Sequence, residues 1–348
     1  MEEKSAGSRL DWIDLVRGFA ILSIVYGHAS RDQGLLAKIV YCYHVPLCIF
    51  VSGWLYEFKD LSLKEHLKKT GLKLLLPYFI WSILSIGIYM AMGSVAAGAL
   101  GAETYDLKTN LLFMLEGRSI GNAVLWYLPF LFCTYLMLFF WGKLLKRRTP
   151  RSLPGKTAAI LLPGIFSVVT LLLYSRMGFP YLPFGISNAC FLLVFPWTAY
   201  VLRKTGRLPE GKKWLVPAGL LLAVSLFCAL KCNDEVVYMG FRDSNYGRNI
   251  FAFFLTALSA CVLFCWIGKL LGSCRLLQWF GRNAMPIFLM HKFPVLFFQV
   301  FLGEISRNLG DFQFLFYLLN TLISASLCCL AGSFLRKYLP FTLGETRK

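Results

Sequence analysis

Asp14, Arg17 and His28 share one apolar stretch, RLDWIDLVRGFAILSIVYGH, with Arg17 and His28 eleven residues apart. Eleven residues make three helical turns. Both side chains therefore leave one face of a helix, roughly 16 Å apart along its axis, with Asp14 on nearly the same stripe. An ionisable side chain within a lipid-spanning helix costs roughly 3 kcal/mol on insertion scales, so such residues usually face a cavity and mark function. Histidine takes up and returns a proton near neutral pH, which suits activation of a weak hydroxyl nucleophile toward a thioester. Arginine offers a fixed charge and planar donors for a phosphate, a carboxylate or a developing oxyanion. Asp14 can orient Arg17 or neutralise it. The plainer alternative is a structural Asp14–Arg17 pair at the membrane rim, with Arg17 snorkelling to lipid phosphate and His28 merely interfacial.

Further residues of this kind follow along the chain. His44, in YCYHVPLCIFVSGWLY, precedes Pro46. It can face His28 across a short hairpin, or bond a backbone group that the proline frees. His291 and Lys292, in GRNAMPIFLMHKF, fall near the middle of an apolar segment, where a lysine calls for a cavity or an internal partner. His66 lies in a basic link and is expected to be solvated. Lys64, Lys68, Lys69 and Lys73 lead into an apolar run; they read as a topology signal or as contacts for phosphates. Trp126 and Tyr127, in LWYLPF, are interfacial anchors or cavity residues. Arg242, Asp243, Asn245, Tyr246, Arg248 and Asn249 form a polar, aromatic-containing cluster suited to a sugar, or to ordinary loop chemistry.

The elements that must position these groups are membrane helices. The 348 residues are 57% hydrophobic and 16% charged, with a mean hydropathy of +0.61, the profile of a polytopic membrane protein. Ten segments are apolar and long enough to span a bilayer: 12–30, 37–56, 72–92, 124–142, 158–175, 186–202, 214–230, 249–268, 283–302 and 313–335. An all-α bundle of about ten transmembrane helices is expected. It would form a single domain over 1–348 with no appended soluble domain, no cleaved leader and no internal repeat. Eleven cysteines, most within apolar runs and without CxxC spacing, read as small hydrophobes rather than metal ligands or disulfide partners. The net charge of +18 would suggest nucleic acid in a soluble chain. Here it sits in the links, where it signals topology and attraction to anionic lipid.

Lysine and arginine number 25 in the termini and even-numbered links and 9 in the alternate links. The positive-inside rule then puts both termini in the cytoplasm. Asp14 and Arg17 lie near the inner end of the first helix and His28 near its outer end. His44 enters the second helix from outside, roughly 10 Å down.

In these residues the chain resembles the acyltransferase 3 family of integral membrane O-acyltransferases. The pattern is Asp14, Arg17-Gly18 and Gly27-His28, then His44, Pro46, Leu47, Phe50, Ser52 and Gly53. Lys69, Lys73 and Pro77-Tyr78 follow, with Trp126-Tyr127-Leu128 and finally Gly281, Arg282, Asn283, Ile287, Phe288 and His291. The resemblance spans nearly the whole chain, and its compact form is similar to the branch related to fucose 4-O-acetylases. It implies a bacterial inner-membrane enzyme that moves an acetyl or other short acyl group from cytoplasmic acyl-CoA to a sugar hydroxyl. Under it, Lys69, Lys73 and Arg17 receive the coenzyme A phosphates. His28, helped by His44, deprotonates the acceptor or transiently carries the acyl group. His291, Lys292, Trp126, Tyr246 and Arg248 line the substrate cavity. Acyl-CoA, a glycan or glycolipid acceptor, membrane lipids and a second copy in a homodimer are the implied partners; metal and nucleic acid are not. From a different class, a transporter or flippase for an amphiphilic substrate would also use a polar seam, although such proteins are often built from repeated halves.

Overall fold

The computed structural model describes residues 10–31, 34–100, 105–119, 121–147, 153–177, 182–232, 237–239 and 244–346. The chain runs through sixteen α-helices among these residues. The first half holds α1 (Asp11–Ala29), α2 (Gly34–Tyr41), α3 (His44–Trp54), α4 (Leu63–Leu100), α5 (Leu107–Leu115), α6 (Tyr127–Arg147), α7 (Leu153–Met177) and α8 (Ile186–Phe191). The second half holds α9 (Val194–Thr205), α10 (Leu215–Phe227), α11 (Ile250–Leu271), α12 (Arg275–Arg282), α13 (Ala284–Met290), α14 (Lys292–Phe301), α15 (Gly303–Asn308) and α16 (Gln313–Tyr338). The β structure among the described residues is one two-residue antiparallel ladder, Tyr238–Met239 against Ser244–Asn245.

Six helices are long and apolar enough to cross a membrane among the described residues, or up to eight if each of two bent pairs counts as one span. Segments 12–30 and 158–175 of the sequence reading fall on α1 and α7, which are not among these. For α1 the reason is its charge, Asp11, Asp14 and Arg17. Such a helix avoids lipid by being enclosed: α1 packs against α3, α11, α12, α14 and α16. The outer faces of α10 and α16 instead present Val216, Leu220, Phe227, Leu330 and Phe334, apolar surface that a bilayer covers.

Three apolar segments break where a proline removes a backbone donor. Pro46 cannot serve the Cys42 carbonyl, and the chain turns at Cys42–Tyr43 through short bonds, Cys42 N–H to Ile39 O at 3.2 Å and Tyr43 N–H to Val40 O at 3.1 Å. Pro196 likewise follows the 55° bend between α8 and α9, and Pro294 the 50° bend between α13 and α14. His44 opens α3 and His291 stands at the α13–α14 break. Both histidines are thus presented at helix ends.

Candidate active site

The site is built around a close helix crossing. A Cβ at Gly18 would collide with the Leu277 carbonyl on α12, and one at Gly281 would collide with the Asp14 carbonyl on α1. Two glycines therefore let the backbones of α1 and α12 touch, and Gln278 Nε2 donates to Asp11 O across the same contact at 3.3 Å. Beyond the crossing, Arg336 of α16 donates to Asn283 Oδ1 at 2.5 Å, to Arg282 O at 3.1 Å and to Glu345 at 3.0 Å. One guanidinium thus joins the Gly281–Asn283 turn to the C-terminal segment.

At the Asp14 end of α1 the charges converge. Asp14 is buried, and its Oδ1 lies 3.6 Å from Arg17 Nη1. Lys73 on α4 interacts electrostatically with both Arg17 and Lys69, and Lys69 and Lys73 are exposed. Arg17 faces Asp14, and Lys73 faces Arg17 and Lys69 in turn, so this end of α1 carries excess positive charge. Ser52 of α3 comes next. Its hydroxyl donates to Cys48 O at 2.9 Å and is within hydrogen-bonding reach of the hydroxyls of Tyr127 and Tyr135, both of which feel the Arg17 charge.

Packed aromatic rings link this end to the histidines. Tyr127 lies 5.5 Å from Phe288, and Phe288 lies 6.4 Å from His291. His291 in turn lies 5.4 Å from His28, each measured between ring centroids. Lys292, His291 and His44 all act electrostatically on His28. His291 is fully buried. Its Nδ1 contacts the carbonyls of Ile287 and Phe288 at 2.9 and 3.0 Å. A carbonyl only accepts, so Nδ1 carries the proton and Nε2 is the basic atom; among the described residues Nε2 has no hydrogen-bond partner. His44 Nδ1 donates to Val40 O at 2.9 Å in the same way, and its ring meets Tyr41 edge-on at 4.7 Å. The backbone-bonding role considered for His44 is present, and it orients Nε2 rather than consuming it.

His28 is held from its backbone. Gln299 Nε2 donates to His28 O at 2.8 Å and to Ala29 O at 3.0 Å, which ties the last turn of α1 to α14. Gln299 was legible as a lone amide in KFPVLFFQVF, but nothing in the sequence says what it meets. Ser52, Tyr127 and Tyr135 were legible as polar groups in apolar runs; their convergence was not.

The structure thus gathers Asp14, Arg17, Lys69 and Lys73 at one end, and His28, His44, His291 and Lys292 further along. Other residues land elsewhere. Trp126 is buried, with its ring 5.4 Å from Phe130 and 6.1 Å from Tyr127. Tyr246 is buried and donates to Asn188 Oδ1 at 2.8 Å while packing on Phe191 and Phe253; it braces α8 against α11, because a tyrosine at a helix entrance can satisfy its hydroxyl internally. Arg248 is exposed, and Arg242 and Asp243 lie outside the described residues. His66, expected to be solvated, is buried and stacks on Phe139 at 4.5 Å: α4 begins early enough at Leu63 to bring its ring onto α6. No group of three His, Cys, Asp or Glu side chains placed to hold a metal is found among the described residues.

Buried imidazoles and a group of cations thus lie at two places along α1. No curated protein and no solved structure matches the chain. A family model described as an acyltransferase domain matches residues 10–334, and with that match over nearly its whole length the chain belongs to the acyltransferase 3 family, the membrane acyltransferases.

Proposed function

We propose that the protein is a bacterial inner-membrane O-acyltransferase of the fucose 4-O-acetylase-like branch. It moves an acetyl or other short acyl group from cytoplasmic coenzyme A to a hydroxyl of an envelope or exopolysaccharide sugar. The observation that carries this reading is the approach of His28 to His291 at one end of a seam whose other end gathers Arg17, Lys69 and Lys73. With both termini cytoplasmic, the cationic end faces the cytosol and receives the donor phosphates, Arg17 as a planar fork and the lysines as point charges. The pantetheine arm runs along α1, and the roughly 16 Å between Arg17 and His28 suits an extended arm with the thioester at its tip.

In the transfer, the His28 imidazole takes the proton from the acceptor hydroxyl as that oxygen attacks the thioester carbon. The C–O bond forms, the C–S bond breaks, and the imidazolium returns the proton to the departing thiolate. His44 and His291, each with Nδ1 tied to a carbonyl, supply further basic nitrogens that keep the proton inside the site. Burial excludes the water that would hydrolyse the thioester.

Mass spectrometry of surface glycans tests this, comparing cells that carry the wild type, His28→Ala or Arg17→Ala at matched expression. The wild type should add one acyl unit per modified sugar, and both variants should add none. Wild-type acylation by a well-expressed His28→Ala protein sinks the assignment.

A further inference from the structure

A second set of polar groups lies on α4 and in the link between α5 and α6, and the transfer step above does not use it. Ser82 and Ser85 of α4, with Ser119 and Asn122 of the link, are each at most 1% exposed. Among the described residues the three hydroxyls and Asn122 Oδ1 have no hydrogen-bond partner. Buried polar groups are almost always paired in folded proteins, so four orphans in one region call for an occupant.

The two α4 serines are unusual for their setting. A serine or threonine inside a helix commonly turns its hydroxyl back to the carbonyl one turn earlier. Ser23, Ser52, Thr134 and Ser333 do so here at 2.9–3.0 Å. Ser82 and Ser85 do not, and three residues apart they share a helix face. The link packs on the backbone of α4 at Ser85: a Cβ at Gly121 would sit 2.6 Å from Ser85 O and 3.3 Å from Tyr89 Cβ. Asn122 is fixed by its amide, whose Nδ2 donates to Leu289 O at 2.9 Å, so Oδ1 is directed away from that bond. This bond ties the link to the Ala284–Met290 helix, which ends at His291.

We infer that Ser82, Ser85, Ser119 and Asn122 form a binding site for a neutral sugar ring. Three hydroxyls that both donate and accept, with one amide oxygen that only accepts, match a polyol. The acceptor oxygen of Asn122 disfavours a phosphate or carboxylate. That the bound sugar is the acyl acceptor rests on the function proposed above; that the site binds a sugar does not.

Saturation-transfer NMR on the full-length protein in nanodiscs tests this without requiring turnover. The probes are methyl α-fucoside, methyl glucoside, methyl galactoside and methyl N-acetylglucosaminide. Wild-type protein should transfer saturation to at least one of them. Asn122→Ala should lose that signal, and so should the double variant Ser85→Ala/Ser119→Ala, which keeps the Asn122–Leu289 bond and so guards against misfolding of the first. Circular dichroism should be unchanged in the double variant. No signal from any probe with wild-type protein, or undiminished signal in the folded double variant, overturns the inference and leaves bound water as the occupant. A sugar signal from a wild-type protein that adds no acyl unit to surface glycans would sink the proposed function and leave this site standing.

Discussion

The rings of His28 and His291 lie 5.4 Å apart and tilted by 30°, although one closes α1 and the other stands at the α13–α14 break. Gln299 sets the His28 end, and the carbonyls of Ile287 and Phe288 set His291. Two imidazoles held at contact distance from separate helices can pass a proton between substrate and leaving group without solvent.

If His291 shares the proton work, His291→Ala should lower kcat about 10²-fold or more, the usual worth of one acid–base group. The KM for acyl-CoA should change little. Steady-state thiol release by purified protein measures both. An unchanged kcat would leave His291 with a packing role only.

Adding a methyl group at Gly18 or Gly281 must separate α1 from α12. Either alanine should cost about 1–3 kcal/mol, as overpacking does, seen as a lower midpoint in thermal size-exclusion profiles. The two changes relieve the same contact, so the double variant should cost less than the sum of the singles. Additive losses would mean that the two glycines do not share one crossing.

Lys69→Ala/Lys73→Ala should raise the KM for acyl-CoA while leaving kcat nearly intact, because these exposed charges attract rather than transform the donor. The wild-type KM should climb with salt, and the variant's should climb less. Arg17→Lys keeps the charge and loses the planar fork; it should lose activity more severely than either single lysine change. A salt-insensitive wild type would count against phosphates at this end of α1.

Gln299→Leu removes two hydrogen bonds from the end of α1. A cost of about 1–2 kcal/mol in stability is expected, together with a fall in kcat as His28 loses its register. Gln299→Glu offers no donor to those carbonyls and should not rescue. Full activity in Gln299→Leu would show that α1 holds His28 unaided.

What the sequence determined by itself was local. The hydropathy of the apolar runs made the chain helical, and the eleven-residue interval put Arg17 and His28 on one face, since both depend on neighbours along the chain. The breaks ahead of Pro46, Pro196 and Pro294 were not among the expected spans, since Pro77 and Pro163 sit inside continuous helices and a missing N–H by itself does not say which helix will turn. Tertiary structure decided which polar groups meet. It braced Tyr246 on Asn188, buried His66 against Phe139, brought Ser52 to Tyr127 and Tyr135, and set His291 against His28. Those encounters depend on how closely helices cross, and that closeness is set by glycine pairs such as Gly18 and Gly281, whose partners no spacing rule along the chain can name.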